Sequence, residues 1–168
     1  DIAAAGLTVT PERRKLVDFA APIVKDASEV VLTGPASPAV ATLDDLAGKE
    51  VFVRKSSSYY ESLVALNQRF ASEKKLPMTL KEAPEQLEDE DLIEMLNAGL
   101  VAIIVVDKYK ADLWKQVFPK IKVHDGMAVR TGSEIAWAIR KDSPQLKQML
   151  DILNSGVQVD GVWTSGID

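Results

Sequence analysis

Val101-Ala102-Ile103-Ile104-Val105-Val106 is apolar at every position. A strand with one wet face would alternate between apolar and polar residues, so this run reads as a strand covered on both faces. Strands of that kind, alternating with helices, belong to parallel α/β sheets. The elements on either side fit that reading. Glu90 to Ala98 is an amphipathic helix stopped by Gly99, and Asp107 opens a helix expected to run through Phe118, with Pro119 ending it.

Upstream the same rhythm continues. Leu43 to Lys49 reads as a helical turn closed by glycine and Val51-Phe52-Val53 as a strand. Ser58 to about Lys74 reads as a helix with Tyr59, Leu63, Leu66 and Phe70 on one face, and Ser58 and Glu61 have capping-box spacing. Met78 to Glu82 alternates like a further strand. Nearer the start, Ile2 to Val9 is a small-residue strand and turn. Pro11 to Phe19 is a short helix with Leu16 and Val17 inward, Pro22 ends that unit, and Val30 to Thr33 is extended. Gly34-Pro35-Ala36-Ser37-Pro38 holds too many breakers for a regular element and is expected to be a crossing between lobes.

Downstream, Ile121 to Val123 is a short strand. Met127 to Arg130 and Ile135 to Ile139 are strands separated by a Thr131-Gly132 turn, and Ser143-Pro144 opens a last helix to about Leu153. Residues 157–168 show no clear period. These elements predict two α/β lobes, the first made of residues 1–33 and 126–168, the second of residues 34–125.

The 168 residues carry 46% hydrophobic content, enough for a packed core, and a net charge of −5 with a pI near 5.0. That balance, without a basic cluster, argues against nucleic acid and for a small solute. The chain has no cysteine, which excludes disulfides and thiolate metal sites, and no apolar stretch near the ~20 residues of a membrane span. It opens on Asp1 without a signal sequence, and Ile2 to Leu7 read as the interior of a strand and the turn after it, with the rest of a lobe still to be supplied, so an excised piece of a longer chain is expected.

Two polar turns that open helices are candidate anion sites. In the first, Thr10 is a good N-cap, Pro11 suits the first helical position and Glu12 suits the positive end of the dipole. Arg13 opposes that dipole by roughly 0.3 to 1 kcal/mol, so a neighbouring ligand carboxylate would suit it. In the second, Ser56, Ser57 and Ser58 lie between a strand and the helix it feeds, where open α/β sheets present N–H groups and hydroxyls to ligands; such a loop also serves simply as a cap. The run lacks the glycines and lysine of a phosphate-binding loop.

Asp107 follows the buried strand and so lies at the same sheet edge, where it can bind a ligand amine or cap the next helix; position alone favours the cap. Tyr59, Tyr60, Trp114, Trp137 and Trp163 read mostly as core by the periodicity of their elements, although Tyr59 or Tyr60 can instead stack beside a ligand at the mouth of the serine loop. Glu88-Asp89-Glu90-Asp91 reads as a solvated face at a helix start, and the lone His124 as structural or exposed. No catalytic acid–base pair, nucleophile set, metal spacing or cofactor motif stands out, so a binding module is the simpler account.

Asp1 to Arg13, followed by Val17-Asp18-Phe19-Ala20-Ala21-Pro22, resembles the signature of family 3 solute-binding proteins, polar amino-acid binders with the type II periplasmic fold. The resemblance implies a two-lobed fold whose first lobe is incomplete at its N-terminus. It implies that Thr8 and Arg13 hold a ligand carboxylate, Ser57 and Ser58 close on it from the second lobe, and Asp107 takes the amine. Ser56 stands where the family often has glycine.

Asp44 to Leu63, Glu90 to Gly99 and Trp137 to Pro144 are also similar to the solute-binding region of membrane-bound lytic murein transglycosylases. By that likeness the parent protein sits in the periplasm, attached to a membrane. This module would then sense an amino acid or a cell-wall-derived peptide, beside a separate transglycosylase domain that carries the catalysis. A periplasmic receptor feeding an ABC transporter shares the site and differs in partner. A dehydratase on the same scaffold is the third reading.

Overall fold

The computed structural model describes residues 1–156, and the reading of residues 157–168, Trp163 included, lies outside them. The fold is mixed α/β and divides into two compact units, Asp1–Ala27 with Gly132–Asp168, and Ser28–Thr131. The limits read from chain breakers, 34–125, fall inside the second unit.

In the first unit, strand β1 (Ile2–Thr8) pairs antiparallel with the last part of strand β7 (Lys122–Ile139), from Ile2 opposite Ile139 to Thr8 opposite Ile135, with a register shift between Ala3 and Leu7. Helix α1 (Pro11–Leu16) leads into the short strand β2 (Asp18–Phe19), which pairs with the same part of β7. Phe19 packs on Ala136 and Ala138, with Leu7, Val9 and Val17 around them. Helix α5 (Pro144–Gly156) buries Leu150 against Ala20 and Ile139. It is latched to the chain after β2, because Asp151 accepts the N–H of Ala21 at 2.6 Å and Asn154 donates to its carbonyl at 2.9 Å. Helix α1 is shorter than the sequence suggests: Val17 N–H closes on Arg13 O and the chain then turns extended. Leu16, expected inward, is therefore 78% exposed, while Val17 is partly buried.

In the second unit, strand β4 (Glu50–Val53) and strand β5 (Thr79–Glu82) are parallel, joined by helix α2 (Ser58–Ser72) as a crossover connection. Tyr59, Leu63, Leu66 and Phe70 of α2 are buried, as their spacing predicts. Helix α3 (Asp89–Asn97) then leads to strand β6 (Ile103–Asp107), every residue of which is buried. Its neighbour is strand β3 (Val24–Thr33), and here the direction differs from expectation: the pair is antiparallel, from Glu29 opposite Asp107 to Thr33 opposite Ile103. The chain between these two strands passes through β4, α2, β5 and α3, so they are not the two strands of a single strand–helix–strand unit and nothing forces a parallel arrangement.

Smaller differences have local causes. Helix α4 (Lys108–Trp114) ends before Phe118; the chain turns by Phe118 N–H bonding Trp114 O, which stacks the two rings at 5.7 Å. Trp114 and Trp137 are partly buried against their cores. β7 runs without a break through Thr131 and Gly132, where a turn was expected. Gly132 takes φ +63° inside the strand, so the positive φ lies within an extended run instead of a hairpin reversal. Gly34 sits against the end of α3, where a Cβ would collide with the carbonyl of Leu96, and its N–H bonds Ala102 O at 3.1 Å.

Candidate functional site

The first unit places Thr8 and Arg13 together. Thr8 ends β1 with its side chain buried, and Thr10 caps α1 by accepting the N–H of Arg13 at 3.2 Å, as its type and position predict. One turn of helix brings the Arg13 guanidinium back over the strand end, where Nη1 donates to Thr8 O at 2.9 Å. Arg13 remains half-buried.

The second unit gathers Ser57, Ser58, Tyr59 and Asp107 at the carboxyl ends of β4 and β6. Ser57, not Ser58, is the cap of α2: its Oγ accepts the Tyr60 N–H at 3.2 Å and donates to Arg54 O at 2.7 Å. Ser58 is thereby the first helical residue and turns its hydroxyl inward. It donates to Glu29 Oε2 at 2.6 Å, and Ser62, one turn on, donates to Glu29 Oε1 at 2.5 Å. Arg130 completes this cluster through Nε to Ser62 Oγ at 2.8 Å and approaches Glu29 and Glu61 at 3.5 Å. Both serine hydroxyls are thus engaged within the protein.

A second cluster surrounds Asp89. Its side chain, only 3% exposed, accepts from Arg54 Nη2 at 2.8 Å, Tyr59 Oη at 2.9 Å and Lys110 Nζ at 2.6 Å. Burial would raise its pKa, but Lys110, Tyr59 and Arg54 outweigh burial and hold the carboxyl below its usual range. Burial would likewise lower Lys110, and Asp89 overcomes it. The acidic run at 88–91, read as a solvated face, is therefore corrected at Asp89: one of the four carboxylates turns inward because two cations and a phenol meet it there.

Tyr59 links this cluster to Asp107. Its Oη lies 2.9 Å from Asp107 Oδ2 and accepts the Asp107 N–H at 3.2 Å. Asp107 stands at the N-cap of α4, yet its side chain makes no capping bond, so the cap favoured by position is not formed. Its other oxygen, Oδ1, is buried without a hydrogen-bond partner, as is Arg54 Nε. An acceptor in that state carries a desolvation cost of about 1 to 3 kcal/mol, more when charged. Burial is the main reason the Asp107 carboxyl is pushed up to about 6; the Tyr59 hydrogen bond works the other way, and Glu29 and Asp89 add to the rise.

Sequence reasoning missed Glu29, Arg54, Asp89 and Lys110. Glu29 carried a signal, since an acid heading the apolar run Val30-Val31-Leu32 has no wet face to occupy. His124 is buried, bonded to Thr33 Oγ1 at 2.8 Å and lowered in pKa by burial first and Lys122 second. Among the described residues no group of three His, Asp or Glu side chains gathers as metal ligands, and no helix is long and apolar enough to cross a membrane.

A lobe of this kind, with polar groups gathered where strands feed helices, defines a small-molecule binding protein of the α/β type. The chain belongs to the bacterial extracellular solute-binding proteins, family 3, whose pattern it matches over residues 1–164. It is similar to membrane-bound lytic murein transglycosylase F of Saccharophagus degradans, at 30% identity over 138 residues, 82% of this chain and 26% of that protein. The same enzyme of Desulfosudis oleivorans is 26% identical over 164 residues, 98% of this chain and 34% of the relative. The chain therefore spans about a quarter to a third of the length of these curated relatives.

Among solved structures, the fold is similar to that of an amino acid ABC transporter substrate-binding protein from Streptococcus pneumoniae bound to L-arginine. The TM-score is 0.75 at 24% identity, covering 94% of this chain and 62% of that one. An ancestral arginine-binding protein bound to arginine gives 0.77 at 23% identity, covering 96% and 67%. These place the chain in the type II periplasmic binding fold.

Proposed function

We infer that this chain is the ligand-binding, sensing module of a cell-envelope lytic transglycosylase, taking an amino acid or a cell-wall-derived peptide end that carries both a carboxylate and an ammonium. Arg13 and Thr8 hold the carboxylate, the N-terminal turn of α2 at Ser57 and Ser58 donates to it through backbone N–H groups, Tyr59 lines the site, and Asp107 takes the ammonium. Binding draws the two units onto one ligand, and that closure is the signal in the periplasm. Catalysis belongs to another part of the longer protein.

The observation that carries this reading is Asp107 Oδ1, a buried acceptor with no partner in a cluster otherwise furnished with donors. An arriving ammonium supplies the missing charge-assisted hydrogen bond. The family assignment and the transglycosylase relatives support the setting. A transporter receptor is the second reading, favoured by the solved structures of similar fold that bind amino acids.

Calorimetry with the common amino acids and murein-derived peptides tests the site. Arg13→Ala is expected to weaken the tightest ligand by about 100-fold, the loss of a bidentate guanidinium–carboxylate contact. Equal affinity in parent and variant removes the carboxylate role. A transglycosylase domain in the same gene favours the sensor, and an adjacent permease gene favours the receptor.

A further inference from the structure

Tyr59 has one proton to give and two carboxylates in reach. Its Oη stands 2.9 Å from an oxygen of Asp89 and 2.9 Å from an oxygen of Asp107, and its own lone pair is taken by the Asp107 N–H. The two acids are not equal competitors. Asp89 is already met by Arg54 and Lys110, whereas among the described residues no cation is in hydrogen-bond contact with the Asp107 side chain.

The surroundings of Asp107 sharpen the imbalance. Glu29 lies opposite it on β3, Tyr59 reaches it from α2, Asp89 approaches from α3, and Tyr109 and Lys110 follow it on α4. Arg54, after β4, touches it only by way of Asp89, and Arg130 of β7 is engaged with Glu29, Ser62 and Glu61. An uncompensated negative charge in this buried place is costly, so the free carboxyl holds a proton more readily than an ordinary aspartate.

We propose that Tyr59 is a positioning residue for Asp107: its phenol, whose one proton lies between Asp89 and Asp107, fixes Asp107 Oδ2 and leaves Oδ1 as the acceptor for a ligand ammonium, whose arrival displaces the proton that the free carboxyl holds. This rests on the assignment of Asp107 to the ligand amine and adds to it a proton coupling and a residue that sets its pH range. The proton balance is simple: one proton leaves the Asp107 carboxyl for solvent, and the ammonium keeps its own three. Below the titration of Asp107 a cationic ligand has to displace that proton, so affinity falls tenfold per pH unit.

Carboxyl and phenol carbon NMR on the 168-residue chain tests the coupling without any ligand. A carboxyl resonance absent from Asp107→Asn is expected to titrate near pH 6, and the Tyr59 Cζ resonance is expected to move with the same midpoint. Tyr59→Phe removes a hydrogen bond that favours the ionised carboxyl, so the midpoint should rise by about one pH unit. The proposal is overturned by a midpoint in the ordinary carboxylate range, or by a Tyr59 Cζ signal flat through the titration. It is equally overturned by an unchanged midpoint in a Tyr59→Phe chain that keeps the parent's thermal transition. Should Tyr59→Phe not fold, the Cζ readout of the parent decides alone. The amine assignment is judged separately by calorimetry: intact coupling with undiminished ligand affinity in Asp107→Asn removes that assignment and leaves the coupling in place.

Discussion

The β3–β6 ladder is built of two chemistries at the same depth. From Val30 opposite Val106 to Leu32 opposite Ile104 it is purely apolar, and one step further Glu29 faces Asp107. All of these residues are buried, Glu29 at 0% and Asp107 at 3% exposure. The apolar stretch needs only volume and shape, and it is stabilised by its removal from water. The acidic step needs partners, and the two acids differ in having them: Glu29 is met by two hydroxyls and a guanidinium, Asp107 by a shared phenol alone. Glu29 is built into the fold, whereas Asp107 is left open at a cost to the fold, a cost that the proposed ligand ammonium would offset.

Substitutions along the ladder separate these roles. The largest effect is expected at Glu29: Glu29→Ala strands Arg130, Ser58 and Ser62 without their common acceptor and should destabilise by about 3 to 5 kcal/mol in denaturant unfolding. Leu32→Ala, in the apolar stretch, should fall in the range of about 2 to 5 kcal/mol set by its cavity. A Glu29→Ala loss no larger than that of Leu32→Ala would erase the distinction.

Asp107→Asn should act in the opposite direction. The folded carboxyl is raised to about 6 from 3.8, so the folded chain holds its proton more tightly than the unfolded one. That contribution to stability is fully present below pH 3.8 and is lost as pH rises through about 6, a difference of roughly 3 kcal/mol at most. The variant should therefore be more stable than the parent at pH 7.5, with the gap closing as pH falls towards 4. Asp89, held low by its cations, runs the other way and weakens both chains in acid. Smallest of all, Ser57→Ala removes the cap of α2 and should cost about 1 kcal/mol.

The architecture was legible because burial leaves a period in the sequence. The apolar run at 101–106 and the face Tyr59, Leu63, Leu66 and Phe70 announced β6 and α2 within a residue or two. Strand direction was not legible, since an apolar run reads the same whether its neighbour is parallel or antiparallel. Helix α1 was overextended for a similar reason: Leu16 and Val17 are both apolar, and only the backbone turn after Arg13 O decides which one faces inward.

Thr8, Arg13, Ser57, Ser58, Tyr59 and Asp107 were singled out through resemblance and position, and they fall as two groups, the first two in one unit and the other four in the second. Their partners were hidden. Asp89 looked like its three acidic neighbours, and nothing in a linear run tells which carboxylate will meet Lys110 and Arg54. Ser57 and Ser58 exchanged roles across a single residue, because the cap is set by where the backbone leaves the extended region and not by which serine precedes a glutamate.

Stability and binding oppose each other at Asp107, and one comparison reaches that opposition directly. Unfolding and calorimetry at pH 7.5 are run on the parent and on Asp107→Asn, with the amino acid or murein peptide that the parent binds most tightly. The variant is expected to be more stable than the parent and to bind about 100-fold more weakly, the loss of a charge-paired contact. A variant that binds as tightly as the parent, or that is destabilised at that pH, contradicts it.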